Sequence, residues 1–98
     1  MFKDLDPLLH SQLRLAIMSL LLNHEVADFN YLKLETGATQ GNLSVQLTKL
    51  QDAGYIKIKK QFRGKYPQTT CSITKLGITR FEEYVKALND YLKSNRQK

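Results

Sequence analysis

At 98 residues, 42% hydrophobic and 24% charged, the chain has material for one hydrophobic core and not for two, and it is neither disordered nor collagen-like. A single cysteine, Cys71, excludes an internal disulfide and an all-cysteine metal site; no apolar run nears the roughly 18 residues of a membrane span, and acids stand where a signal peptide carries bases, so a cytoplasmic protein with no membrane partner is expected. The net charge of +6 is lopsided: residues 1–52 carry four basic and six acidic side chains, residues 53–98 eleven and three, and a field gathered in this way points to a polyanionic partner.

Pro7 suits the first turn of a helix with Asp6 as its N-cap, and the pattern predicts a helix over 7–23. Its apolar residues, among them Leu8, Leu9, Leu13, Leu15, Ile17, Met18 and Leu20 to Leu22, lie on nearly every side. A helix of that kind is covered on more than one face, and in so short a chain the second cover is expected to be another subunit. Residues 26–29 have room only for a strand stub. A second helix is predicted over 30–35 with Tyr31, Leu32 and Leu34, ended by Gly37.

Thr39 is a good N-cap for a third helix over 40–53. At about 100° per residue, Leu47 and Leu50 fall within about 40° of Leu43, which makes these three leucines core. Gly41, Val45, Thr48 and Asp52 point the opposite way, with Asn42, Ser44 and Lys49 on the flanks, so the outward face is small and polar. Gly54 closes the helix.

Residues 55–59, Tyr-Ile-Lys-Ile-Lys, alternate with period two, a strand with Ile56 and Ile58 inward. Residues 63–67 are turn chemistry, and 69–74 return with Cys71 and Ile73 on one face. The result is a β-hairpin with a basic outer side and tip. From Ala53 to Phe81 there is no acid at all, against Lys57, Lys59, Lys60, Arg63, Lys65, Lys75 and Arg80. Thr74 then caps a last helix over about 75–93, in which Phe81, Tyr84, Val85, Leu88, Tyr91 and Leu92 recur at three- and four-residue steps. Gly77 near its start is a poor helix former, and 94–98 read as a frayed polar tail.

The order is therefore α1-β1-α2-α3-β2-β3-α4, an α+β winged helix-turn-helix occupying 1–98 as a single domain. The four residues Thr36-Gly37-Ala38-Thr39 form the turn between the second and third helices. The stretch LETGATQGNLSVQLTKLQDAGYIKI, residues 34–58, resembles the helix-turn-helix and first wing strand of bacterial winged-helix transcriptional regulators. The stretch RGKYPQTTCSITKLG, residues 63–77, resembles their wing tip, return strand and the start of the last helix. The chain is similar, over about 8–92, to the small winged-helix DNA-binding domains related to MarR-type and arsenic-repressor-type regulators.

That resemblance implies a homodimeric regulator, a repressor, on double-stranded DNA, with the third helix in the major groove. It assigns groove contacts to Gln40, Asn42, Ser44 and Val45, backbone contacts to Thr48 and Lys49, and wing contacts to Lys59, Arg63 and Lys65. Gln and Asn pair bidentately with adenine, whereas the third helix lacks arginine, the commonest guanine reader; specificity is expected to be limited or to lean towards A·T. The first and last helices are expected to form the dimer interface through Leu9, Leu13, Phe81, Tyr84, Val85, Leu88, Tyr91 and Leu92. A small-molecule effector, where one acts, would use the dimer cleft or a partner. The paired metal-binding cysteines of the arsenic-repressor type are absent; His10 and His24 suggest no metal site, and no cofactor is expected.

Two other readings stand beside these. Lys57, Lys59 and Lys60 also serve an edge strand by discouraging aggregation, independently of DNA. A winged helix can be a protein-interaction or assembly module, although such a wing has no general need of five bases and no acid between Lys57 and Lys65. Catalysis has little to build on: Gly64-Lys65 lacks the upstream glycines of a phosphate loop, and two histidines with one cysteine make no nucleophile set. Buried Cys71 reads as a small hydrophobe.

Overall fold

The first turn of the chain departs from expectation for a local reason. Two capping residues stand five apart, and both are used. The Asp6 carboxylate accepts from the Leu8 N–H at 2.9 Å, and its carbonyl accepts from Leu9 and His10, which closes a single turn. At Ser11 the backbone is extended, φ −150°, so helical structure restarts there. The Ser11 hydroxyl accepts from the Arg14 N–H at 3.4 Å, and α1 spans Gln12–Asn23, not 7–23.

This computed structural model describes residues 2–96. After α1 come β1 (Ala27–Asp28), α2 (Phe29–Thr36), α3 (Gln40–Asp52), β2 (Ile56–Arg63), β3 (Tyr66–Ile73) and α4 (Lys75–Arg96). The order is the expected one. The strands form one antiparallel sheet in the order β1-β3-β2, with Ile58 opposite Cys71 and Arg63 opposite Tyr66. The hairpin is longer than 55–59 and 69–74, because both strands run on to a two-residue turn at Gly64-Lys65. The expected tail over 94–98 is helical as far as Arg96; 97 and 98 lie outside the described residues.

The core is gathered around α1. Ile17, Met18 and Leu21 are fully buried against Leu32 of α2, Leu43, Leu47 and Leu50 of α3, and Ile56 and Cys71 of the sheet. The many apolar faces of α1 are covered mainly within the chain, since α2, α3, β3 and α4 all pack on it, while Leu22 remains exposed. Of the apolar residues of α2, Leu32 is buried and Leu34 is exposed. Cys71 is enclosed, and burial pushes its thiol up to about 11, which keeps it protonated and inert near neutrality.

One junction sets the angles between the outer elements. After α3, Gly54 turns with φ +81° and delivers Tyr55 to the base of the wing. The Tyr55 carbonyl accepts from the Thr74 N–H at 3.0 Å. The Thr74 hydroxyl donates to the Gly54 carbonyl at 2.6 Å and accepts from the Gly77 N–H at 3.0 Å, so it caps α4 while tying it to the end of α3. A Cβ on Gly77 would lie 2.1 Å from the Tyr55 carbonyl oxygen. Glycine is used here for close approach of two backbones, which outweighs its poor helix propensity.

The N-terminal arm completes the junction. The Tyr55 hydroxyl donates to the Asp6 carboxylate at 2.6 Å; burial first, and then this carboxylate, push the phenol up to about 12. The ring of Phe2 stacks on Tyr91 at 4.7 Å, whose hydroxyl donates to the Lys3 carbonyl, and Tyr84 shares a 2.8 Å hydrogen bond with His10. The expected dimer surface therefore narrows. Leu9 and Tyr84 are buried within the chain and have no surface to offer a partner, and Tyr91 is partly covered by the chain's own arm.

Replacing Gly77 with alanine is expected to destabilise the fold by about 2–3 kcal/mol, because a backbone oxygen cannot yield as a side chain does. Urea unfolding measures it, and a midpoint equal to wild type would contradict this account of the junction.

Candidate nucleic-acid interface

Thr39 starts α3 as expected, its hydroxyl accepting from the Asn42 N–H at 3.2 Å. The αL conformation of Gly37, φ 71°, lets α2 stop and the chain swing into α3. With Leu43, Leu47 and Leu50 buried, the rest of α3 is presented outward in three strips. Gln40, Ser44, Thr48 and Gln51 face the wing. Asn42, Gln46 and Lys49 lie on the opposite flank, towards α1. Gly41 and Val45 stand between them, at the crest.

The wing side is a cleft. Its rim is Gln40, Ser44, Thr48 and Gln51 from α3 and Lys60 and Thr69 from the hairpin, over a floor of Phe29, Leu47 and Ile58. No acid lines it. The pleat puts alternate residues on one face, so Lys60 follows Ile56 and Ile58 towards α3, and Lys57 and Lys59 project from the other face of the sheet. Lys59, expected as a contact, is exposed on that outer face, and Arg63 and Lys65 are exposed at the tip. Lys60, Gln51 and Thr69 were not singled out as contacts from the sequence. Counting by two from Ile58, and by fours and threes from Gln40, identifies Lys60 and Gln51.

The other flank of α3 is anchored. The Arg14 guanidinium donates to the Gln46 side-chain carbonyl and to the Leu8 carbonyl. The Gln46 amide in turn donates to the Asn42 side-chain carbonyl at 3.0 Å. Asn42 is thereby oriented with its NH2 group free to donate, by a chain of contacts running back to α1. The Thr48 hydroxyl donates to the Ser44 carbonyl at 3.0 Å, which leaves its oxygen as an outward acceptor.

Residues 13–92 match the winged helix DNA-binding domain family. The chain belongs to that family. An uncharacterized protein of Methanocaldococcus jannaschii is 36% identical over 76 residues, 78% of this chain and 83% of that one. The solved structure of a transcriptional regulator homologue from Pyrococcus horikoshii superposes with a TM-score of 0.83 at 26% identity, covering 89% of this chain and 86% of that one. The Bacillus subtilis PadR, solved in complex with operator DNA, shares the fold with a TM-score of 0.67 at 18% identity, over 76% of this chain and 48% of its own. In this winged-helix domain, α3 is the second helix of the helix-turn-helix and the β2-β3 hairpin is the wing. Among the described residues, no helix is long and apolar enough to cross a membrane, and no three His, Cys, Asp or Glu side chains gather as a metal site. His10 and His24 are instead bonded to Tyr84 and Tyr31.

Gly41 has no internal reason to be glycine. A Cβ there would meet nothing within 4 Å, and glycine weakens a helix by about 0.5–1 kcal/mol relative to alanine. Gly41→Ala is expected to raise stability by about that amount and, if the crest of α3 meets DNA, to weaken DNA binding through the added methyl. Denaturant unfolding and fluorescence anisotropy on one preparation measure both; a gain in stability with unchanged affinity would mean that the bare crest is not a DNA contact.

Proposed function

We propose that the protein is a homodimeric, sequence-specific repressor of transcription that places α3 in the major groove of duplex DNA and lays the wing on the backbone or in the minor groove. The observation that carries this reading is the acid-free cleft between α3 and the wing, with hydrogen-bonding side chains on one wall and Lys60 on the other. Lysine and arginine neutralise phosphates, and neutral amides and hydroxyls read base edges. The two kinds of group are divided between two elements that one junction holds together. The PadR structure bound to operator DNA supports this use of the fold. Gln40, Asn42, Ser44 and Val45 are assigned to the groove, Thr48, Lys49, Lys59, Arg63 and Lys65 to the backbone, and Lys60 joins them. The cytoplasm suits such a role.

Dimerisation is proposed through the outward side of α4. Phe81, Val85, Leu88 and Leu92 lie on one side of that helix, with Val85 40% and Leu92 53% exposed. A shallow groove continues from Phe81 and Val85 to Leu22 of α1, and half-buried Leu13 belongs to the same helix. The radius of gyration, 15.2 Å, exceeds the roughly 13 Å of a compact chain of this length, as a projecting α4 and wing require. A contiguous apolar strip of this kind is unusual on a soluble monomer.

If a dimer neutralises about 6–10 phosphates, affinity is expected to fall about 10³–10⁵-fold between 50 and 200 mM salt. Replacing Arg63 and Lys65 with alanine is expected to weaken binding to every sequence alike and to flatten the salt slope by about one per lost contact. Gln40→Ala or Asn42→Ala is expected to cost about 1–3 kcal/mol on the preferred site alone. Anisotropy titrations on specific and random duplexes separate these effects, and identical behaviour of the two sets would remove α3 as the reader. A salt-independent response would favour the protein-interaction reading.

Val85→Asp is expected to leave the fold intact, since the side chain is exposed, and to convert the dimer to monomer in sedimentation at micromolar concentration. A wild type already monomeric, or a variant still dimeric, excludes α4 as the interface.

A further inference from the structure

Two large aromatic side chains at the end of the wing stand largely uncovered among the described residues: Phe62 is 76% and Tyr66 78% exposed. They bracket the Gly64-Lys65 turn, and the cross-strand register sets Phe62 opposite Pro67 and Arg63 opposite Tyr66. Counting by two along β2 from the buried Ile56 puts Phe62 on the α3-facing side, beyond Lys60. The wing thus carries first a base and then an apolar pair along the side that bounds the cleft. From Lys60 to Phe62 is two residues, about 7 Å at about 3.3 Å each, and the phenyl side chain extends the reach beyond that. The minor groove is about 7.5 Å deep, so the tip has the reach to meet base pairs while Lys60 remains at the phosphates.

We propose that Phe62, backed by Pro67, is a wedge that enters a base step from the minor groove of duplex DNA and kinks it. The proposal rests on the DNA-binding reading above and adds a residue and a mode of recognition to it. Apolar side chains, Phe and Pro among them, unstack a step in this way and bend the duplex by about 20–90°. Lys60, Arg63 and Lys65 surround the pair without a single acid, a setting complementary to a polyanion whose interior is a stack of flat apolar faces. The outward face of α3 is small and polar, which a bilayer would not accommodate beside the tip. Pyrimidine–purine steps yield most easily, so a flexible step such as TA under the wing is the preferred site. That gives sequence preference at a position outside the reach of α3 and independent of arginine.

The test uses the full chain on a duplex carrying an end-to-end fluorescence-transfer pair and 2-aminopurine at the step under the wing. Wild type is expected to bend the duplex and to brighten the 2-aminopurine. Phe62→Ala, at a site with no role in the core, is expected to bind with the same salt slope but to lose the bend, the brightening and the preference for a flexible step; Phe62→Leu is expected to retain part of each. Wild type that binds without bending, or Phe62→Ala that bends as wild type does, overturns the wedge and leaves the DNA-binding reading in place. Absence of duplex binding by wild type at low salt overturns both. A fall in the sedimentation mass of free Phe62→Ala assigns the aromatics to contact between copies. Loss of binding to phosphatidylserine vesicles in that variant, with the DNA bend retained, assigns them to a membrane surface. Either outcome overturns the proposal.

Discussion

The contact on which the rest depends is the approach of the first turn of α4 to the carbonyl of Tyr55. Thr74 and Tyr55 lock the end of α3, the base of the wing and the start of α4 into one hydrogen-bonded knot, and the absent side chain of Gly77 is what lets it close. Asp6 adds the N-terminal arm through the Tyr55 hydroxyl. Helix packing alone leaves crossing angles scattered by about 15–20°. A rotation of that size at this junction would move the wing tip several ångströms relative to α3. The proposed grip on a duplex by two elements at once needs that angle held, which accounts for a glycine inside a helix that would be stronger without it.

Around this junction the polar groups are distributed by task. The wing carries charge, which acts over a distance and tolerates imprecise placement. The flank of α3 towards α1 carries amides whose orientation is fixed by the Arg14–Gln46–Asn42 chain, because an amide reads a base only when it points correctly. Arg14 lies 32 residues from Gln46 in sequence, so this organisation of the third helix exists only in the folded chain. In the proposed reading, the lack of arginine on α3 makes adenine-directed amides and the shape of the DNA the main sources of sequence preference.

Much of this was legible in the residues, for identifiable reasons. Leucines at Leu43, Leu47 and Leu50 and alternation at Ile56, Ile58, Cys71 and Ile73 are periodic signals, and these elements stand close to where periodicity puts them. Glycines and caps marked the ends of α2 and α3. The start of α1 differs from the expectation because Asp6 and Ser11 are both competent caps and both are used, Asp6 for a single turn and Ser11 for the helix. Two of the residues expected at a dimer face, one on each of the predicted first and last helices, are buried, since a pattern of apolar residues records that they are covered and not by what. Leu9 and Tyr84 are covered by the chain itself. On the wing, charge drew attention to the lysines as a group. The pleat sorts them, Lys60 towards α3 and Lys59 away, and the same parity places Phe62 on the side of the cleft.

The central claim is that α3 and the wing form one rigid DNA-gripping face, presented twice by a two-fold axis along α4. Hydroxyl-radical footprinting of the protein on its preferred duplex tests it most directly. The account predicts two equivalent patches of backbone protection on one side of the duplex, centred about 34–36 Å apart, each flanked by a minor-groove segment shielded by the wing. A single patch, protection that follows α3 without the wing segment, or no protection where binding is saturated would contradict it.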